Sequence, residues 1–151
     1  MIAGPVKYIV SIIYALLVLV GSAQVVCRYA LGFSLPWSEE FIRYAFFWSV
    51  MLTAGLVAGD GAHLKVDYVS DVLSPRARRA LEAFNDALML IFAAALIWFG
   101  GDLVWRAVEG GSRSPAMGIS MGWIYLAFPV GGALLAGMHI WHMLNRHRSA
   151  A

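Results

Sequence analysis

Apolar residues along this chain gather in four blocks parted by short polar stretches, with no period-two alternation inside the blocks. A membrane barrel strand needs such alternation, so helices are the remaining way for these blocks to cross a bilayer. The blocks predict an all-α integral membrane protein with spans at about 6–29, 39–58, 80–108 and 122–144. The uncharged run from Tyr8 to Cys27 has 20 residues, about 30 Å of helix and enough to cross. It exceeds the usual apolar region of a signal peptide, so despite the cleavage-like Gly21-Ser22-Ala23 it reads as a retained first span.

Helix signals mark the other blocks. Pro36 and Trp37 set the boundary of the second span, Ser38 is its expected N-cap, and Glu39 and Glu40 fall in its first turn. Ser74-Pro75 is a cap followed by proline at the first helical position, so the third helix is longer than a bilayer needs and its start protrudes. The fourth span stops at Asn145-Arg146-His147-Arg148. Between the second and third, Val66, Val69 and Leu73 share a helical face while Lys65 and Asp71 lie off it, which predicts a short interfacial helix at about 62–73. No connecting stretch is long enough for a second domain, so residues 1–151 read as one membrane domain.

Orientation follows from the basic residues. With both termini cytoplasmic, that side holds Lys7, Lys65, Arg76, Arg78, Arg79, Arg146 and Arg148, against Arg28, Arg43, Arg106 and Arg113 on the other. Seven against four favours both ends inside. Composition agrees with a lipid-solvated chain: 61% of residues are hydrophobic and 13% charged, with a mean hydropathy of +0.73. The net charge of +2 is small and its basic residues form no stripe, which argues against nucleic acid. Cys27 is alone and has no zinc-ligand spacing around it. There is no P-loop, dinucleotide fingerprint, metalloprotease helix or nucleophile elbow, so no enzyme, cofactor or metal is expected.

Charges beside or within spans need a partner or an aqueous exit. Arg43 follows Glu39 by four residues and Glu40 by three, and Arg106 follows Asp102 by four, spacings that put opposite charges on one helical face. In the expected topology Arg28, Trp37, Glu39, Glu40, Arg43, Asp102 and Arg106 gather near the outer boundary. They are the candidate contacts for another subunit or for lipid headgroups; the bland alternative is a set of self-satisfied pairs. Only 15 residues separate Asp86 from Asp102, about 22 Å of helix against a hydrocarbon core of about 30 Å. At least one of those aspartates is therefore drawn below the surface. Gly55 with Gly59, and Gly132 with Ala136, have the four-residue spacing that lets helices approach closely.

Several segments together resemble the small permease subunit, the DctQ-like component, of tripartite ATP-independent periplasmic (TRAP) transporters. They are Cys27-Arg28-Tyr29, then Leu35-Pro36-Trp37-Ser38-Glu39-Glu40, then Gly61-Ala62-His63-Leu64-Lys65-Val66-Asp67, then Arg113-Ser114-Pro115-Ala116-Met117-Gly118-Ile119, with Tyr125 and Pro129 after them. Gly59-Asp60 departs from the family, whose members often carry extra basic residues there. The resemblance implies a bacterial inner-membrane scaffold subunit that works with a large DctM-like permease and a periplasmic substrate-binding protein. Together these would take up an organic acid such as a carboxylate, driven by sodium. It also implies that substrate and ion sites lie on the large subunit; this chain lacks the internal repeat and broken helix pair expected of a midplane site.

Two other readings compete. One is a stand-alone four-helix assembly factor or small exporter, in which the polar pairs serve internal packing alone. The other is a haem-binding membrane anchor of a redox enzyme, prompted by His139 and His142 on the fourth span. His63 and His147 lie outside the spans, so no histidine pair is expected deep on two facing helices.

Overall fold

The computed structural model describes residues 3–59 and 74–148. The expected surface helix at 62–73, with His63, lies outside the described residues. The chain forms α1 (Ala3–Tyr29), α2 (Pro36–Gly59), α3 (Pro75–Glu109), α4 (Met121–Tyr125) and α5 (Ala127–Arg148). α1, α2, α3 and the combined α4–α5 segment are each long and apolar enough to cross a membrane. Among the described residues the protein is all-helical apart from a single bridge between Arg113 and Ser120.

α2 starts earlier than its sequence pattern predicts. Pro36 opens the helix, where its missing N–H is no loss. Ser38 is therefore not the cap; it is fully buried in the first turn, and its hydroxyl donates to the Leu35 carbonyl at 2.7 Å. Ser74 does cap α3, its side chain accepting from the Ala77 amide. The 35 residues of α3 make about 52 Å of helix, well beyond the ~30 Å hydrocarbon core. The fourth span is interrupted at Leu126. Pro129 has no N–H to give the Tyr125 carbonyl four residues back, and the helix resumes as Val130 donates to Leu126 at 3.1 Å.

Contacts between helices set the topology. Gly21 meets Ile42 and Gln24 meets Glu39, so α1 and α2 run antiparallel. Tyr44 meets Met121, Gly131 meets Met51 and Gly55 meets Leu134, so α2 and α5 run parallel. Gly122 meets Val108, Gly100 meets Phe128, Gly132 meets Ala93 and His139 meets Asp86, so α3 and α5 are antiparallel. The bundle thus has a loop end, with the 29–36 and 109–121 connections, and a terminal end, with Ala3 and Arg148.

α5 is the hub, packed against both α2 and α3, while α1 packs against α2. The core is small: Ala58, Ala93 and Leu135 are buried, with Ala54, Met89, Ala136 and Met138 around them. Phe47 and Phe128 meet edge to face at 5.6 Å. Large apolar side chains mostly point outward, as lipid rather than water surrounds them. Gly55, Gly132 and Ala136 serve packing within the chain: a Cβ at Gly55 would lie 2.7 Å from Leu134, one at Gly132 would lie 3.0 Å from the Ala93 carbonyl oxygen, and Ala136 packs on the core.

Candidate functional site

The loop end is built around Glu40. α2 projects this side chain inward, leaving the residue only 8% exposed, beneath the connection between α3 and α4. Its carboxylate accepts hydrogen bonds from the backbone amides of Ala116 at 3.2 Å and Met117 at 3.1 Å, beside the buried Ser114. The connection is itself a tight structure. Ser114 donates to the Ile119 carbonyl at 2.8 Å, Gly118 to Ser114 at 3.0 Å and Met121 to Ser112 at 2.9 Å. Arg113 Nη1 donates to the Gly118 carbonyl at 3.1 Å. Gly118 has φ +68°, a left-handed conformation that a side chain would strain. The segment from Arg113 to Ile119 is therefore a folded loop stitched to α2 by one carboxylate.

The remaining candidates surround this anchor with different fates. Glu39 is exposed and accepts from Gln24 Nε2 at 3.2 Å, tying α1 to α2. The expected pairing of Arg43 does not form: among the described residues it makes no ion pair within 4 Å, because Glu39 faces α1 and Glu40 faces the loop. Asp102 and Arg106 form the expected ion pair within α3, both largely exposed. Arg28 lies exposed in the last turn of α1, and Trp37 is 44% exposed at the start of α2. Arg28, Trp37, Glu39 and Arg43 thus stand exposed on α1 and α2 at the loop end, while the Asp102–Arg106 pair stands exposed on α3.

Of the two aspartates that the 15-residue spacing sets in conflict, Asp86 is the one drawn in. Its Oδ1 lies 3.1 Å from Nε2 of His139, with 14% and 7% of the two side chains exposed. Sequence reasoning flagged each residue and missed the pairing. The available signal was that Asp86 and His139 are polar positions inside apolar spans near the same membrane side. His139 already faces a carboxylate and His142 is on the same helix, so no facing histidine pair for haem forms among the described residues. Gln24 and Ser114 were also missed, since short polar residues leave no spacing signature.

Among the described residues no three metal-ligating side chains cluster. A cleft of about 400 Å³ between α1, α2, α3 and α5 is lined mostly by apolar side chains such as Val50, Met89, Phe92 and Leu135, with Tyr14 and Thr53 carrying hydroxyls.

Residues 17–149 match the family model for the DctQ component of tripartite ATP-independent periplasmic transporters. The chain belongs to this family. A Haemophilus influenzae protein described as a TRAP transporter small permease is 26% identical over 88% of this chain and 81% of its own length. The sialic acid TRAP transporter small permease SiaQ of Vibrio cholerae is 25% identical over 81% of this chain and 69% of its own. The isethionate TRAP transporter permease DctMQ of Oleidesulfovibrio alaskensis is 28% identical over 66% of this chain, but only 16% of that much longer protein is covered. This DctQ-family subunit is therefore a multi-pass membrane component of a TRAP transporter of the inner membrane.

Proposed function

We propose that this DctQ-family subunit is a fixed scaffold that holds a large DctM-like permease in the bacterial inner membrane. With a periplasmic binding protein, the pair takes up an organic acid at the expense of a sodium gradient. The observation that carries the reading is the family match over residues 17–149, on a bundle whose clefts are apolar and whose buried Glu40 is held by amides of its own chain. The DctMQ relative, in which the matching segment is a small part of one longer chain, supports a large permease as partner. The names of the isethionate and sialic acid relatives support an organic anion as cargo.

Both termini are cytoplasmic in this reading, as the Lys and Arg bias favours. The loop end then faces the periplasm. Arg28, Trp37, Glu39 and Arg43, with Asp102 and Arg106, are the surface contacts for the large subunit or lipid headgroups. Glu40 acts from inside by holding the loop beside them. Co-expression with a DctM-like large permease tests the proposal: the two chains co-purify, and proteoliposomes take up solute only with both chains, the binding protein and a sodium gradient. Uptake by this subunit alone overturns it. Arg43→Glu is expected to reduce co-purification while leaving the isolated subunit folded.

A further inference from the structure

The Asp86–His139 couple lies outside the loop-end site, and the scaffold reading makes no use of it. It joins α3 to α5 near the terminal end, where both side chains are largely removed from solvent. Above it glycines line the seam between these helices. Gly132 lies against the Ala93 carbonyl, Gly100 against Phe128 and Pro129, and Gly122 against Val108. Small residues permit close approach but say little about axial position, because a helix of glycines and alanines shifted by one turn meets a similar surface. A polar couple in lipid differs: after such a shift the Asp86–His139 contact is broken, with no water to replace it. Buried polar pairs are best attested as devices that fix helix register.

We propose that Asp86 and His139 form a register lock that sets the axial position of α5 against α3, acting together with Glu40 at the opposite end. α4 and α5 follow directly from the loop that Glu40 holds. A one-turn slip moves that helix by about 5.4 Å, more than the 3.1 and 3.2 Å bonds from Met117 and Ala116 to Glu40 tolerate. Two carboxylates on two neighbouring helices thus grip the hub near its two ends. The lock is a property of this chain and does not depend on a large partner.

Disulfide trapping reads the register directly, in full-length subunit with Cys27→Ser in detergent or vesicles. A Cβ at Gly122 would lie 2.6 Å from Val108 Cγ2, so Val108→Cys with Gly122→Cys reports the native register. Val108→Cys with Leu126→Cys reports a one-turn slip. With Asp86 and His139 present, the native pair cross-links and the slipped pair does so roughly tenfold less, as a preference of about 1.4 kcal/mol dictates. Asp86→Leu combined with His139→Leu removes both polar groups and retains folding, since apolar replacement of a whole buried pair is usually tolerated. In that variant the slipped cross-link rises about threefold while Glu40 still holds the loop, and reaches parity with the native one when Glu40→Ala is added.

His139→Leu alone removes the imidazole that faces a carboxylate and is expected to lower the yield of folded protein more than Asp86→Leu alone, because an imidazole can shed its charge and a carboxylate in lipid is the costlier group to leave. If the double-leucine chain folds and still cross-links only in the native register, the couple is packing and the proposal fails. Should that chain not fold, Asp86→His with His139→Asp decides: a swapped couple restoring native-only cross-linking supports the lock, and a swapped chain that folds but slips overturns it.

Discussion

The first and last spans of this subunit stand in opposite relations to the rest of the chain. α1 is the more apolar, with a mean hydropathy of 2.4 in its best window against 1.5 for the α4–α5 span, yet 6% of that window is buried inside the protein against 33%. In water the more apolar helix would take the centre. In lipid, acyl chains solvate Val18, Leu19, Val25 and Val26 as well as other side chains would, so hydropathy selects what enters the membrane and not what packs within it. α5 is central because glycines let α2 and α3 come close, and because carboxylates on those helices engage it, or the loop before it, near each end.

The comparison breaks first at glycine. Gly132→Leu drives a side chain into the Ala93 carbonyl and Leu96 and is expected to destabilise the detergent-solubilised subunit by about 3 kcal/mol, near the upper end for overpacking. Gly21→Leu in α1, whose added Cβ would lie 3.9 Å from Ile42, should cost less than about 1 kcal/mol. Denaturant unfolding followed by circular dichroism measures both. Equal losses would mean that α1 is as tightly packed as α5.

A smaller effect is expected at Glu40. Glu40→Ala leaves the Ala116 and Met117 amides without their acceptor, at about 1–3 kcal/mol, and amide exchange across 112–120 accelerates while that of α1 stays unchanged. Unchanged exchange there would remove Glu40 from its anchoring role. Gln24→Leu cuts the polar tie between α1 and α2 and costs about 0.6 kcal/mol, a typical value for a hydrogen bond between membrane helices. The smallest change belongs to Val18→Ala, expected within about 0.5 kcal/mol for the isolated subunit. The same variant sharpens the comparison when the large permease is present: weaker co-purification would show that this face of α1 is covered by protein rather than lipid.

Much of the fold was legible because its signals are local. Three apolar blocks became single helices long enough to cross a membrane and the fourth became one broken at Leu126, Ser74 with Pro75 started α3, and Asp102 paired with Arg106 one turn away. The misreadings share a cause. Ser38 looked like a cap and Arg43 like the partner of Glu39 or Glu40, because spacing along one helix considers only that helix. Glu39 turned instead to α1, and Glu40 to a loop 76 residues further along the chain.

Sequence alone determined that this chain lives in lipid, how many times it crosses and which family it resembles, since those depend on the length and polarity of successive segments. Tertiary structure alone decided which helix sits at the centre, which carboxylate holds the outer loop and which aspartate meets a histidine. In a bilayer those choices rest on close approach of small residues and on the pairing of buried polar groups, and both are relations between distant segments that no single stretch of residues contains.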